Sequence, residues 1–169
     1  MITDEQTNKV YFSEYLRGYK CWVSIKEALL EHGINFEMLP NTKDIWVRDF
    51  MPIQKDVNSF IGYEYNPDYL KGEQQYITHD VQNCFELTHN NLMIMDVIVD
   101  GGNVIKCDEK VIMTDKVFVE NKEKDREFLQ TVLEESFGCE VVFIPWDRAE
   151  KFGHSDGMVR YVEPGTSRL

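Results

Sequence analysis

At 169 residues, with 43% hydrophobic and 28% charged side chains, the chain has the make-up of one soluble globular domain with a real core. Its net charge of −12 is spread along the whole length without a basic patch, which argues against a nucleic-acid partner; such a field can gather a cationic substrate or simply keep the protein soluble. Ten Phe, eight Tyr and three Trp argue against disorder, and no apolar run approaches the ~20 residues that cross a bilayer. Met1–Lys9 is polar and carries no secretory signal, so a cytoplasmic location without membrane attachment is expected.

In chain order, Val10–Phe12 is a short apolar run before Ser13, a candidate helix N-cap. Leu16, Tyr19, Trp22, Ile25 and Leu29 then recur at gaps of three or four, which predicts a helix ended by Gly33, with Gly18 a weak point in it. Strands are expected at Ile34–Leu39, Asp44–Gln54 and Phe60–Tyr65, the last stopped by Asn66–Pro67. Asp68–Asn91 has little local pattern. Leu92–Val99 is apolar except for Asp96, as in a strand buried on both faces. Asn103–Cys107 and Lys110–Thr114 form a predicted hairpin turning at Asp108–Glu109. A helix over Lys122–Phe137 presents Phe128, Leu129, Val132, Leu133 and Phe137 as one stripe and closes at Gly138. Cys139–Ile144 supplies a further strand ended by Pro145. The alternation predicts a single α/β unit over residues 1–169.

Cys21, Cys84, Cys107 and Cys139 form no CxxC pair, so a zinc ribbon or thioredoxin-type motif is not supported, and all four are expected reduced. Cys107 and Cys139 sit among strand residues, as small buried hydrophobes do.

Three segments carry chemistry-bearing residues: Trp46–Pro52 (WVRDFMP), Asp100–Asn103 (DGGN) and Gly153–Arg160 (GHSDGMVR). On a strand, Asp49 would share a face with Ile45, Val47, Met51 and Ile53, where a carboxylate is costly without a partner; an ion pair with a nearby arginine is the bland alternative. The paired glycines after Asp100 fit a tight turn or a close approach to a ligand, and the acidic spacing of a calcium loop is absent. His154 and Asp156, two apart, would share a side of an extended chain, where a carboxylate can orient or charge an imidazole. The same pair with Asp49 or Asp100 offers a metal set, and the local sequence leaves that alternative open.

Together these segments, with Asn41–Gln54, Val111–Asn121 and Pro145–Arg160, resemble the agmatine deiminase family, also called the Porphyromonas-type peptidyl-arginine deiminase family; the likeness runs from about Val10 onward. The resemblance implies a partial pentein, an α/β-propeller of ββαβ-type modules, with roughly the first half of five modules present. It implies hydrolysis of a guanidinium group, agmatine to N-carbamoylputrescine and ammonia, through a cysteine-linked intermediate; peptidyl or free arginine are alternative substrates. Asp49 and Asp156 would bind the guanidinium, His154 would be the catalytic histidine, and Trp46 would either line the site or serve the fold. Asp100 stands where the family usually has glutamate, one methylene longer, which leaves its contact with the histidine in question. No metal or organic cofactor is implied. The nucleophilic cysteine of the family lies beyond the histidine motif in a glycine-rich segment, and none of the four cysteines here occupies one. The isolated chain is therefore expected to be inactive, or to serve as a non-catalytic guanidinium-binding module or half of a split enzyme, with self-association or a complementing C-terminal half as partner.

Overall fold

The computed structural model of the chain describes residues 1–3, 6–79, 91–107 and 109–162. It begins with a parallel pair, β1 (Val10–Ser13) and β2 (Phe36–Leu39), joined through a 3-10 turn at Glu14–Gly18 and helix α1 (Trp22–Glu31). The one helix expected from Ser13 onward is therefore two. Ser13 does cap, its Oγ accepting from the Tyr15 N–H at 3.0 Å, but beyond Gly18 the backbone at Tyr19 is extended. Gly33 ends α1 with φ of 64°, the left-handed geometry that favours glycine. Phe12, Trp22 and Phe36 meet edge to face between the strands and the helix, with centroids 5.5–6.3 Å apart.

Helix α2 (Val47–Phe50) lies where a strand over Asp44–Gln54 was expected; the strand starts only at Ile53. Two features favour the helical turn. The Met51 N–H closes on the Val47 carbonyl at 3.0 Å, and Arg48 reaches out to the carbonyls of Gly101 and Val104 at 3.2 and 3.0 Å. Pro52 then has no N–H to continue the helix. A hairpin of β3 (Ile53–Asp56) and β4 (Ser59–Glu64) follows, and β5 (Leu92–Ile98) returns parallel to β4. On β5 only alternate residues Met95 and Val97 are buried, followed by Val99; Met93 and Ile94 are exposed, so the expected burial on both faces fails.

The third sheet repeats this plan. β6 (Ile105–Cys107) and β7 (Lys110–Thr114) form the predicted hairpin, and β8 (Glu140–Ile144) returns parallel to β7. Asp108, in the expected turn, lies outside the described residues, as do residues 80–90 and with them Cys84. Between β7 and β8 run α3 (Lys116–Glu120), which the periodicity did not reveal, and α4 (Arg126–Phe137). α4 starts four residues later than expected because Asp125 is its N-cap, accepting from the Glu127 and Phe128 N–H groups. Gly138, at φ of 70°, ends it as predicted. Leu129, Leu133 and Phe137 are fully buried, whereas Phe128, assigned to the same stripe, is 58% exposed.

These α4 residues, Val111, Met113 and Val141 of the third sheet, and Ile61, Met95 and Val97 of the second make one continuous core. No sheet closes on itself among the described residues. Cys21 is exposed and Cys107 and Cys139 are half-buried; all three are free thiols. No described helix is long and apolar enough to cross a membrane.

Candidate active site

The site forms where the chain leaves the carboxyl ends of β5 and β7. Asp100 follows β5, and its Oδ1 accepts from the Gly102 N–H at 3.0 Å, which folds the two glycines into a 3-10 turn. Neither glycine tolerates a side chain. A Cβ at Gly101 would overlap the Arg48 carbonyl oxygen and come within 2.7 Å of the Tyr63 hydroxyl; one at Gly102 would overlap the His154 ring. The glycine pair is thus the surface against which both α2 and His154 pack.

Tyr63 ties down the other wall. Its hydroxyl lies 2.8 Å from the carbonyl oxygens of both Asp49 and Met51. The segment bearing His154 is fixed from below: Thr114 Oγ1 donates to the Gly153 carbonyl at 2.6 Å, Asn103 Oδ1 accepts from the Thr114 N–H at 2.7 Å, and the Asp156 N–H reaches the Gly102 carbonyl at 3.1 Å.

The result brings Asp49, Asp100 and His154 together, each with one ligating atom within 4.8 Å of the others. His154 Nε2 stands 2.8 Å from Asp100 Oδ2, an ion-pair distance, although the N–H does not point along the line to that oxygen. The shorter carboxyl at position 100 therefore still meets the histidine. Asp100 Oδ2 also accepts a hydrogen bond from the Tyr69 hydroxyl. Tyr69 packs edge to face on Phe152 at 4.9 Å and on His154 at 6.1 Å.

Charge is crowded here. Burial first, then the Asp100 carboxylate, pushes Asp49 up to about 7 from an ordinary 3.8; Asp156 adds to the rise, while His154 and Arg48 oppose it. Burial alone would lower His154, but contact with Asp100 and the fields of Asp49 and Asp156 outweigh it, and the imidazole is raised above 6.5. Burial and Asp100 keep Tyr69 a phenol, raised far above its ordinary value. A protonated His154 between acids can give up a proton to a leaving group.

Of the residues expected from sequence, Asp49, Asp100 and His154 converge. Asp49 arrives on α2, not on the strand that suggested its facing. Asp156 sits in a turn and is exposed; its charge reaches Asp49 and His154, but it is not in the close trio. The metal-competent group is accordingly Asp49, Asp100 and His154 rather than a set built around Asp156. Trp46 is 62% exposed at the head of α2. Tyr69, Tyr63 and the backbone-binding role of Arg48 were not anticipated; Tyr69 lies in the weakly patterned stretch after Asn66–Pro67, which offered no local signal for it. A cleft of about 730 Å³ between Lys9, Tyr11, Met51 and Lys106 backs onto Arg48 and Gly101 but is not lined by any of the trio.

The same arrangement of segments is matched by the Porphyromonas-type peptidyl-arginine deiminase family model over residues 14–167. The chain belongs to that family. Solved structures agree on a mixed α/β fold shared with pentein deiminases. A C. jejuni agmatine deiminase with substrate bound superposes with a TM-score of 0.62 at 17% identity, over 92% of this chain and 59% of that one. An Enterococcus faecalis agmatine deiminase gives 0.58 at 17% identity, over 88% and 43%. A Pseudomonas aeruginosa DDAH in complex with citrulline gives 0.53 at 12% identity, over 83% and 62%. The chain thus spans 43–62% of the length of these three structures. No curated protein matches it by sequence.

Proposed function

We propose that the chain supplies the guanidinium-binding and proton-handling wall of a deiminase site, acting on a small cationic guanidine with agmatine as first candidate. The observation that carries this reading is the juxtaposition of Asp49, Asp100 and His154, with Asp49 held at about 7. Among the described residues no group donates a hydrogen bond to the Asp49 carboxylate. A guanidinium supplies what it lacks, a permanent positive charge and N–H groups in a planar fork. Asp49 and Asp156 would grip that fork, and Trp46 would flank the rest of the substrate.

In this reading a cysteine thiolate attacks the guanidinium carbon and forms a C–S bond. His154 gives its proton to the departing nitrogen, which leaves as ammonia. A water deprotonated by His154 then attacks the same carbon; the C–S bond breaks and the adduct's hydroxyl proton passes to solvent, releasing the neutral ureido product and the thiolate. Asp100 keeps the imidazole charged for the first step. The trio contains no cysteine, so the thiolate comes from elsewhere, and this chain alone is expected to bind without turnover. The hairpin-plus-return sheets read as successive modules of a pentein propeller. Val10, Val23 and Leu30, exposed on the first unit, favour a complementing chain or a second copy.

A metal reading of the trio fits less well. The neighbouring carboxylates of Asp100, Asp49 and Asp156 favour the charged imidazole, whereas a metal ligand has to be the neutral ring. Elemental analysis of purified protein checks this directly.

The test is calorimetric titration of agmatine into this chain and into the Asp49→Ala, Asp156→Ala double variant. Saturable binding that disappears in the variant is expected; equal binding by both sinks the assignment of these carboxylates. Arginine and a short arginyl peptide, titrated alongside, rank the substrate classes.

A further inference from the structure

Beneath the site lies a buried cation that the proposed chemistry does not use. Lys116, on α3, is only 1% exposed, yet its ammonium is fully engaged. Nζ lies 3.0 Å from Asp68 Oδ1 and 3.1 Å from Glu120 Oε1, and donates to the Phe152 carbonyl at 2.8 Å. It stands over the Tyr69 ring at 4.8 Å and the Trp146 ring at 5.6 Å. A Cβ at Gly153 would overlap its side chain, so the loop rests on the lysine stem.

Two of these contacts lead into the site by separate routes. The Phe152 carbonyl is two residues before His154, in the loop whose N–H groups at Phe152 and Gly153 are held by the Glu150 carboxylate. The Tyr69 ring carries the hydroxyl that donates to Asp100 Oδ2, the oxygen that faces His154 Nε2. Lys116 thus anchors the imidazole from its own loop and the opposing carboxylate through Tyr69.

We propose that Lys116 is a positioning residue that sets His154 against Asp100, acting through the Phe152 carbonyl and the Tyr69 ring. Burying an ammonium is costly and surface lysines suffice for solubility, so the investment is explained by what the charge holds in place. The positional statement needs no substrate. Its catalytic consequence, a correctly charged proton donor, rests on the deiminase reading.

The sign of one titration shift separates positioning from bulk charge. His154 is faced by Asp49, Asp100, Asp156 and Tyr69, and Lys116 by Asp68, Glu120 and Tyr69, with Glu150 between. If Lys116 acted only as a nearby positive charge, Lys116→Met would raise the His154 pKa. If it positions, the contact with Asp100 is lost and the pKa falls toward the ordinary 6.5. Lys116→Met leaves Glu120 buried without its partner, so the second variant is Lys116→Met, Glu120→Gln, which removes both charges of the pair and leaves the net charge unchanged.

The measurement is an NMR titration of the His154 ring in the whole chain, with circular dichroism as the check on folding. A fall is expected in both variants and wild-type behaviour in Lys116→Arg, which restores charge and donors. An unchanged or raised His154 pKa in the folded double variant overturns the proposal. Agmatine binding is read separately: its absence from the wild type, with the pKa fall intact, counts against the deiminase reading alone.

Discussion

Asp49 and Asp100 face the same small space from two parts of the chain built in different ways. Asp100 ends a core strand, is 2% exposed, and meets the Gly102 N–H, the Tyr69 hydroxyl and His154. Asp49 sits on a single helical turn between small apolar clusters around Leu39 and Phe50, and among the described residues its hydrogen bonds are made by its backbone. Behind it, α1 buries none of its residues, whereas α4 buries four. The difference teaches that one wall is a finished scaffold with its charges already answered. The other presents a half-buried carboxyl that receives no hydrogen bond among the described residues.

The largest effect should come from the finished side. Leu133 is fully buried in the core under the third sheet. Leu133→Ala should cost about 2–5 kcal/mol, the loss of burial plus the cavity left behind. Urea unfolding measures it; a cost near zero would mean that this core does not hold the site together, and would break the comparison.

How legible this division was in the sequence follows the same line. α4, Gly138 and the hairpin of the third sheet were readable because a strong stripe, a left-handed glycine and turn residues all agree there. Asp100, its glycines and His154 were readable as motifs, since close approach of backbone and ring leaves only glycine at 101 and 102. Asp49 was found for the wrong geometric reason. Alternation of Ile45, Val47, Asp49, Met51 and Ile53 mimics a strand, and long-range bonds from Arg48 and Tyr63 make the segment a helical turn instead. Tyr69 and Lys116 were invisible because the contacts that tie them to the site, with Asp100 and with the Phe152 carbonyl, span 31 and 36 residues, and no local periodicity encodes such contacts.

The next effect sharpens the contrast between the carboxyls. With a folded value of about 7 against 3.8, Asp49 binds a proton in the folded chain that the unfolded chain has already lost between those values. Stability from this group therefore declines as pH rises from about 4 to 7 and is flat above. His154, raised on folding, adds stability that is complete below 6.5 and disappears as pH passes its folded value. Asp49→Asn removes the first contribution and, by taking away one of the charges that raise His154, trims the second. It should stabilise the chain at pH 8 by roughly 1–3 kcal/mol and leave it little changed at pH 4. Unfolding curves at the two pH values decide it, and a variant destabilised at pH 8 would show that the charge of Asp49 is satisfied within the chain.

A smaller effect of the same origin concerns ligand. A guanidinium requires Asp49 ionised, so the Asp49 contribution to agmatine affinity should rise by up to about tenfold per pH unit below 7 and level off above it, while loss of the His154 proton adds a separate gain as pH passes that group's raised folded value. Calorimetry across pH 5.5–8.5 reads the slope. A flat profile would mean that binding does not draw on this carboxyl, and would leave Asp49 no different from Asp100.

The smallest effect tests the unfinished side itself. Leu30 lies on α1 and is 62% exposed, so Leu30→Ser removes little buried surface and should change stability by less than about 0.5 kcal/mol. The same change should matter more for association, because Leu30, like Val23 one heptad before it on α1, is a large apolar side chain left exposed. Sedimentation of the wild-type and variant chains over a range of concentrations separates the two roles. A variant that unfolds easily as a monomer would mean that α1 is as well seated as α4. A variant that stays folded but associates less than the wild type would place the first unit's apolar face at a contact between chains.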